Sequence, residues 1–205
     1  MIYSYVLVRD YGFAPNPFPP ACTLATCKPA IRYSAKVGDW VIGFGSARKG
    51  SAFANKLIYA MKIDEKCTFD EYYDNPLYRY KKPIMNGSLV QKYGDNIYHR
   101  DSNGNWLQDN SHHKNKDGTV NYQNLERDTK RINVLISHCY WYYGKDAISI
   151  PNEFTEVIHH GIGHKATFNE TLENGFYCWL QSKPESGYIG KPEKFSSGFE
   201  YYNGT

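Results

Sequence analysis

Long apolar runs are missing from this 205-residue sequence, and no stretch approaches the roughly 18 to 20 consecutive residues that span a bilayer. The segment from Met1 to Tyr5 has neither the basic region nor the cleavage pattern of a secretory leader. Low-complexity linkers and internal repeats are also absent. The length therefore favours one domain over residues 1–205, with an irregular tail over 184–205. We expect a cytoplasmic protein.

Cysteine is sparse and irregularly spaced. The five cysteines form an odd set, which argues against a disulfide framework and for reduced thiols. Cys22 and Cys27 have four residues between them, a spacing that suits neither a redox pair nor a common zinc site, so both are predicted to be packed thiols. A catalytic thiolate at Cys27 would need a neighbouring histidine or cation, and Lys28 keeps that alternative open.

Known cofactor and metal motifs are incomplete. The Gly43-Phe44-Gly45-Ser46 segment lacks the lysine and the third glycine of phosphate-binding loops. Two glycines interrupt the histidines of 159–164, and no zinc-type spacing supports them. His99-Arg100-Asp101 occurs without the other kinase signatures and is predicted to be hairpin sequence. No metal is predicted, and the sequence identifies no cofactor.

A strong excess of one charge is absent too, since the net charge of +3 is ordinary for a soluble domain. The distribution is more informative. Residues 28–62 contain seven basic residues and one acidic residue, a local balance of +6, and 64–74 reverses the sign. Within this stretch Ser46, Arg48 and Lys49 follow a predicted strand together and are candidate phosphate contacts, with a solvated loop as the alternative.

Aromatic residues, in contrast, are abundant. They make up 16% of the chain, with 19 tyrosines, four tryptophans and ten phenylalanines. Most are expected in the core or on sheet surfaces, where aromatic rings bury large areas. A few are expected to line any site, because flat rings stack on nucleobases.

Hydrophobic periodicity predicts short strands and helices separated by long loops. Strands are predicted over 2–8, 39–44, 56–63 and 132–137, a hairpin over 96–108 around Asn103-Gly104, and helices over 26–35, 68–73, 121–131 and 170–181. Thr68 and Glu71 have the spacing of a capping box. Strand–helix units of constant length are lacking, which favours an α+β fold with a small mixed, barrel-like sheet flanked by short helices and long loops.

Several segments, in this order, carry a resemblance to a known family. They lie at 9–18, 22–29, 37–46 (with Val37-Gly38-Asp39-Trp40), 93–98, 111–113, 128–129 and 134–137. Together they resemble the type 2 nucleotide-modification-associated domain, a family named for its association with phage and bacterial systems that modify DNA bases. The strands at 39–44 and 56–63 and the helix after them also resemble PUA-like base-recognition domains. That second resemblance implies a barrel with a base-binding cleft.

The predicted site combines a rigid loop, a strand end and a histidine pair. The proline-rich loop of 9–18 holds Asp10 and Asn16, which offer acceptors and donors to a base edge. His112 and His113 are candidate acid–base groups with Asp10 as their partner. Asx-type turn support for Asp10 and Asn16, and surface positions for the histidines, are the alternatives. Candidate nucleotide-binding residues are Arg9, Phe13, Asn16, Trp40, Ser46, Arg48 and Lys49.

Three functional hypotheses follow. The first is a nucleobase- or nucleotide-recognition module in a phage or bacterial DNA-modification pathway, with a nucleobase, a nucleotide or DNA as its ligand and a DNA-modifying enzyme as a partner. The second is an enzyme that processes a base or nucleotide with a histidine acid or base. The third is a sponge that sequesters a signalling nucleotide.

Overall fold

A computed structural model describes residues 1–48 and 50–202. Over these residues the chain is a mixed α/β protein. The strands are β1 (Ile2–Leu7), β2 (Cys22–Leu24), β3 (Trp40–Gly45), β4 (Leu57–Lys62), β5 (Glu65–Thr68), β6 (Tyr98–Arg100), β7 (Trp106–Gln108), β8 (Asn133–Ser137), β9 (Cys139–Tyr142) and β10 (Gly187–Tyr188). The α-helices are α1 (Pro29–Ser34), α2 (Phe69–Asp74), α3 (Leu89–Lys92), α4 (Tyr122–Thr129) and α5 (Glu170–Gln181). Short 3₁₀ helices cover Pro76–Lys81, Gly144–Asp146, Asn152–Val157 and Glu193–Ser197.

The chain divides into two compact units, and each is built from separated segments. Unit 1 comprises Met1–Asp10, Ala35–Asp64 and Ser137–Glu193. Unit 2 comprises Tyr11–Ser34, Glu65–Ile136 and Lys194–Thr205, and is described as far as residue 202.

Unit 1 contains a five-stranded sheet in the order β1-β3-β4-β9-β10. The β1–β3 and β9–β10 pairs are parallel, while β4 pairs antiparallel with both of its neighbours. Trp40 is buried in the core of this unit and stacks on Trp141 and Tyr177, with ring centroids 5.9 and 5.0 Å away. A Cβ at Gly45 would lie 2.0 Å from the carbonyl oxygen of Phe53, so close backbone approach requires this glycine.

Unit 2 contains a three-stranded sheet in the order β2-β8-β5, the β6–β7 hairpin and helices α1 to α4. Its core is dominated by aromatic rings, among them Phe69, Tyr72, Tyr93 and Tyr98. Arg32 of α1 is fully buried in this unit. It donates hydrogen bonds to the main-chain oxygens of Cys27, Asp128, Arg131 and Asn133 at 2.5–2.8 Å. One guanidinium thus ties together the chain before α1, the end of α4 and the start of β8.

Most long elements lie where periodicity predicts them. The strands predicted over 2–8, 39–44, 56–63 and 132–137 and the helix over 170–181 are present within two residues of their predicted bounds. The capping box of Thr68 and Glu71 is also confirmed. The turn of the predicted hairpin contains Gly104 at φ +84°. The segment after residue 184, predicted to be irregular, contains β10 and a 3₁₀ helix.

The PUA-like barrel is not confirmed. Among the described residues the strands form three separate sheets, and none of them closes into a barrel. β1 and β10 are the two edge strands of the largest sheet and do not pair with each other, so this sheet does not close. No helix in the described part of the chain is long and apolar enough to cross a membrane.

Candidate active site

A thiol, an imidazole and a carboxylate meet inside unit 2. The Cys27 Sγ lies 3.7 Å from His113 Nε2, and His113 Nδ1 lies 2.9 Å from Asp128 Oδ2. The sulfur and the carboxylate therefore contact opposite edges of one imidazole ring. We call these three side chains the Cys27 cluster. His113 and Asp128 are buried, whereas Cys27 is half-buried and keeps some access to solvent.

The backbone at Cys27 has a conformation that is unusual for residues other than glycine. Cys27 and Lys28 have φ values of 55° and 39°, in the left-handed region. Such strain requires compensating contacts. Asp128 Oδ1 accepts the Cys27 amide at 2.9 Å, and Arg32 Nε donates to the Cys27 carbonyl at 2.8 Å. Both peptide groups of Cys27 are thus held by hydrogen bonds to two side chains of unit 2, Asp128 and Arg32.

The position of His113 is fixed through its main chain as well as its ring. Its carbonyl oxygen accepts from Gln108 Nε2 at 3.1 Å and from Asn124 Nδ2 at 3.0 Å. The ring packs against Phe13, with centroids 4.6 Å apart. These contacts hold the Nε2 edge toward the sulfur although the residue lies in a loop.

Asp128 lies in the last turn of α4 and has several donors besides His113. Tyr98 donates its hydroxyl to Oδ2 at 3.0 Å, and Arg127 Nε is 3.2 Å from Oδ1. Asn124, one helical turn earlier, lies on the same face of α4. The helix therefore presents a carboxylate and a carboxamide side by side to the loop that carries His113.

The surrounding charges shift the pKa values of His113 and Asp128 strongly. Burial alone would lower the pKa of His113, but the Cys27 sulfur and the Asp128 carboxylate raise it to about 9. Burial would raise the pKa of Asp128, yet the positive charges of His113, Arg127 and Arg32 hold it well below its usual range. His113 is thus protonated and Asp128 ionised at neutral pH.

The cluster has donor types that also bind metals, and its three donor atoms lie within 4.8 Å of one another. However, the sulfur faces Nε2 and the carboxylate faces Nδ1, on the opposite edge of the imidazole ring. An ion bound to the sulfur would therefore be ligated by Cys27 and His113, and the ring would separate it from Asp128. Asp128 additionally accepts from Cys27 N and Tyr98. The arrangement matches a nucleophile, a base and an orienting carboxylate.

The other thiols differ from Cys27 in their surroundings. Burial raises the pKa of Cys22 to about 12, and burial together with Glu71 and Glu65 raises that of Cys67 to about 12. Burial also raises the pKa of Cys139. Cys178 is exposed on α5. The Cys27 sulfur, in contrast, lies 3.7 Å from a histidine ring nitrogen.

The predicted histidine pair lies partly at this cluster. His113 belongs to it, whereas His112 is surrounded by the rings of Tyr11, Phe13 and Tyr93 at centroid distances of 4.6–5.3 Å. The carboxylate that contacts His113 is Asp128. Asp10, the predicted partner, accepts hydrogen bonds from the Tyr142 hydroxyl and the Glu193 amide in unit 1.

Asn16 of the proline-rich loop has internal hydrogen-bond partners. It is buried, its Nδ2 donates to Tyr93 O at 2.9 Å, and its Oδ1 accepts from Phe18 N and from Lys81 Nζ. This pattern matches turn support, one of the two interpretations of the sequence.

The remaining predicted nucleotide contacts are dispersed. Trp40 is in the core of unit 1, and Arg9 is exposed. Ser46 Oγ accepts from Arg48 N at 3.3 Å at the end of β3. Lys49 lies outside the described residues. Phe13 is the member of this set that contacts the histidine pair.

The sequence left a catalytic role for Cys27 open only as an alternative to a packed thiol, and it gave no indication of Asp128 or Tyr98 as site residues. The signal was nevertheless present. The segments at 22–29, 93–98, 111–113 and 128–129, which carry the family resemblance, contain Cys27, Tyr98, His113 and Asp128, respectively. Side chains that share a site are expected to recur in the ordered motifs of a family.

The fold and the site define a mixed α/β protein with a buried histidine held between a thiol and a carboxylate. The chain belongs to the family described as nucleotide modification associated domain 2, whose model matches residues 1–199. The resemblance found in the sequence is thereby confirmed, and it associates the chain with nucleotide-modification systems. No curated protein and no solved structure matches the chain.

Proposed function

We propose that this chain is a thiol-dependent enzyme that transfers a group to or from a nucleobase or nucleotide. The observation that supports the proposal is the placement of Cys27 Sγ and Asp128 Oδ2 on opposite edges of the His113 ring. In this arrangement Cys27 is the nucleophile, His113 carries its proton, and Asp128 fixes the tautomer and orientation of the ring. Family membership supplies the nucleotide context.

The reaction proceeds by covalent catalysis. With the Cys27 proton already on His113 Nε2, the Cys27 thiolate forms a bond to an electrophilic carbon of the substrate. His113 returns the proton to the leaving group as the carbon–leaving-group bond breaks. An acceptor, either water or an amine, then attacks the carbon, gives a proton to His113 and releases the sulfur. The cycle restores the thiolate and the protonated His113 without an external oxidant or reductant.

Recognition of a base is part of this proposal. The rings around His112, from Tyr11, Phe13 and Tyr93, lie next to the Cys27 cluster in unit 2 and provide flat apolar surfaces. The recognition predicted from the sequence would then orient a base for the attack. A DNA-modification pathway, as the family resemblance implies, would supply the substrate.

A turnover assay tests the proposal. The full chain would be incubated with unmodified nucleotides and a panel of base-modified nucleotides, with products followed by mass spectrometry. Product formation is expected to fall by roughly a thousandfold or more in Cys27→Ser and in His113→Gln, because each removes one half of the nucleophile–base pair. Cys178→Ser is the matched control and should retain full activity, since Cys178 is exposed and outside unit 2. Turnover that persists in Cys27→Ser would refute the assignment of the nucleophile.

A further inference from the structure

The last described residues of the chain pack on the histidine pair. Tyr202 N donates to His112 O at 2.6 Å, and Glu200 O lies 2.5 Å from His112 Nδ1. Tyr93 anchors the same segment, because its hydroxyl donates to Gly198 O at 3.1 Å and accepts from Glu200 N at 3.0 Å. We call residues 198–202 the tail segment.

The ring of Tyr202 lies where a planar ligand would have several favourable partners. It stacks on His112 at a centroid distance of 5.9 Å and an interplanar angle of 18°. It is 5.6 Å from the His113 ring, and the Arg127 guanidinium lies 5.8 Å over it. Imidazole rings and guanidinium planes are the groups on which proteins stack nucleobases. This position is also adjacent to the Cys27 cluster through His113.

Asn124 offers hydrogen bonds at the same place. Its Nδ2 donates to His113 O at 3.0 Å and to Tyr202 O at 2.7 Å, and these two carbonyls fix the orientation of the carboxamide. Asn124 is completely buried, yet its Oδ1 has no hydrogen-bond partner among the described residues. Arg127 Nη2 is likewise buried and unpaired in the described part of the chain. A buried acceptor and a buried donor without partners are costly unless a ligand satisfies them.

We propose that the tail segment covers a nucleobase seat formed by His112, Asn124 and Arg127, and that a base replaces the Tyr202 ring there. The inference rests on the proposed function and names its substrate class. The base stacks on His112, accepts a hydrogen bond from Asn124 Nδ2 in place of Tyr202 O, and donates an N–H to Asn124 Oδ1. Every nucleobase presents an acceptor beside an N–H donor on at least one edge, adenine through N7 or N1 and its N6 amino group, so the seat recognises a base without selecting one base over the others.

Calorimetric titration of the full chain with dTMP, and with 2-deoxyribose 5-phosphate, which lacks the base, tests the seat. Tyr202→Ala should bind dTMP about tenfold more tightly than the unsubstituted chain, because the competing ring is gone. Tyr122→Ala is the matched control, since Tyr122 is an exposed tyrosine of the same unit, and should change the affinity by less than about twofold. Affinity that is unchanged or weaker in Tyr202→Ala overturns the proposal.

Asn124→Ala in the Tyr202→Ala background should weaken dTMP binding by about tenfold, and 2-deoxyribose 5-phosphate should bind at least about tenfold more weakly than dTMP to Tyr202→Ala. If Asn124→Ala does not fold, as judged by its melting curve, the comparison of dTMP with the base-free sugar phosphate decides. Equal affinities for dTMP and 2-deoxyribose 5-phosphate, or no binding of dTMP, overturn the proposal.

The titrations are repeated in Cys27→Ala, which separates this inference from the proposed enzyme. If the unsubstituted chain shows no turnover but Tyr202→Ala tightens the binding of dTMP, the seat is supported and the enzyme is not. Turnover that depends on Cys27, together with affinities that Tyr202→Ala does not tighten, supports the enzyme and overturns the seat.

Discussion

Two adjacent histidines, His112 and His113, have different surroundings. His113 connects a thiol to a carboxylate, while His112 has aromatic rings on several sides and the tail segment on its imidazole. Side chains of neighbouring loop residues commonly point in different directions. The sequence therefore showed that both histidines are present but not that their side chains have different contacts. The contacts of His113 depend on α4, which places Asp128 next to the His113 ring and the Asn124 side chain next to the His113 carbonyl oxygen.

The raised pKa of His113 predicts a pH-dependent stability. A histidine in an unfolded chain titrates near pH 6.5, whereas the Cys27 sulfur and Asp128 raise the pKa of folded His113 to about 9 despite its burial. Its stabilising contribution is therefore complete below about pH 6.5 and is lost as the pH rises through about 9. The free energy of unfolding should fall by roughly 3 kcal/mol over that window.

Urea denaturation at pH 6, 7.5 and 9 measures this effect. In His113→Gln the decrease between pH 6 and 9 should be absent, while His160→Gln, an exposed histidine, should keep it. An equal decrease in the unsubstituted chain and in His113→Gln would show that another group is responsible.

At the scale of elements, the long strands and helices follow their own periodicity, and the short ones do not. β3, β4 and α5 were predictable because each presents a run of residues long enough to show its period. β2 has three residues, and its strand character depends on its pairing with β8. β9 is an aromatic run whose place beside β4 depends on residues about 80 positions earlier.

The N-cap of α4 gives a prediction at this scale. Asn121 Oδ1 accepts from Asn124 N at 2.9 Å, and its Nδ2 donates to Asn115 Oδ1 at 2.9 Å in the loop that follows His113. Asn121→Ala should lower the free energy of unfolding by about 1–2 kcal/mol, because it removes the cap of a helix end that is buried. Chemical denaturation measures the loss.

Asn121→Ser is the matched variant, since serine preserves a capping oxygen and loses the donor to Asn115 without adding a charge. It should be destabilised less than Asn121→Ala. Equal losses in both variants would assign the effect to the loop contact and not to the cap.

At the scale of the whole molecule, the Cys27 cluster is a product of long-range folding. Cys27, His113 and Asp128 come from three separated segments of unit 2, and the contact of Cys27 with Asp128 joins residues 101 positions apart. Sequence spacing cannot show that residues so far apart are in contact. Cys27 has no histidine close to it in the sequence, and for this reason it was predicted to be a packed thiol. The open sheet of unit 1 likewise depends on strand order, which local patterns do not determine.

The most direct test of the thiol assignment is the alkylation rate of individual cysteines by iodoacetamide at pH 7, followed by peptide mass spectrometry. Exposed Cys178 in the same molecule is the internal reference. Cys27 is predicted to react about tenfold or more faster than Cys178, and His113→Gln should remove this advantage without changing the rate at Cys178. A Cys27 that reacts no faster than Cys178, or that keeps its rate in His113→Gln, would contradict the central claim.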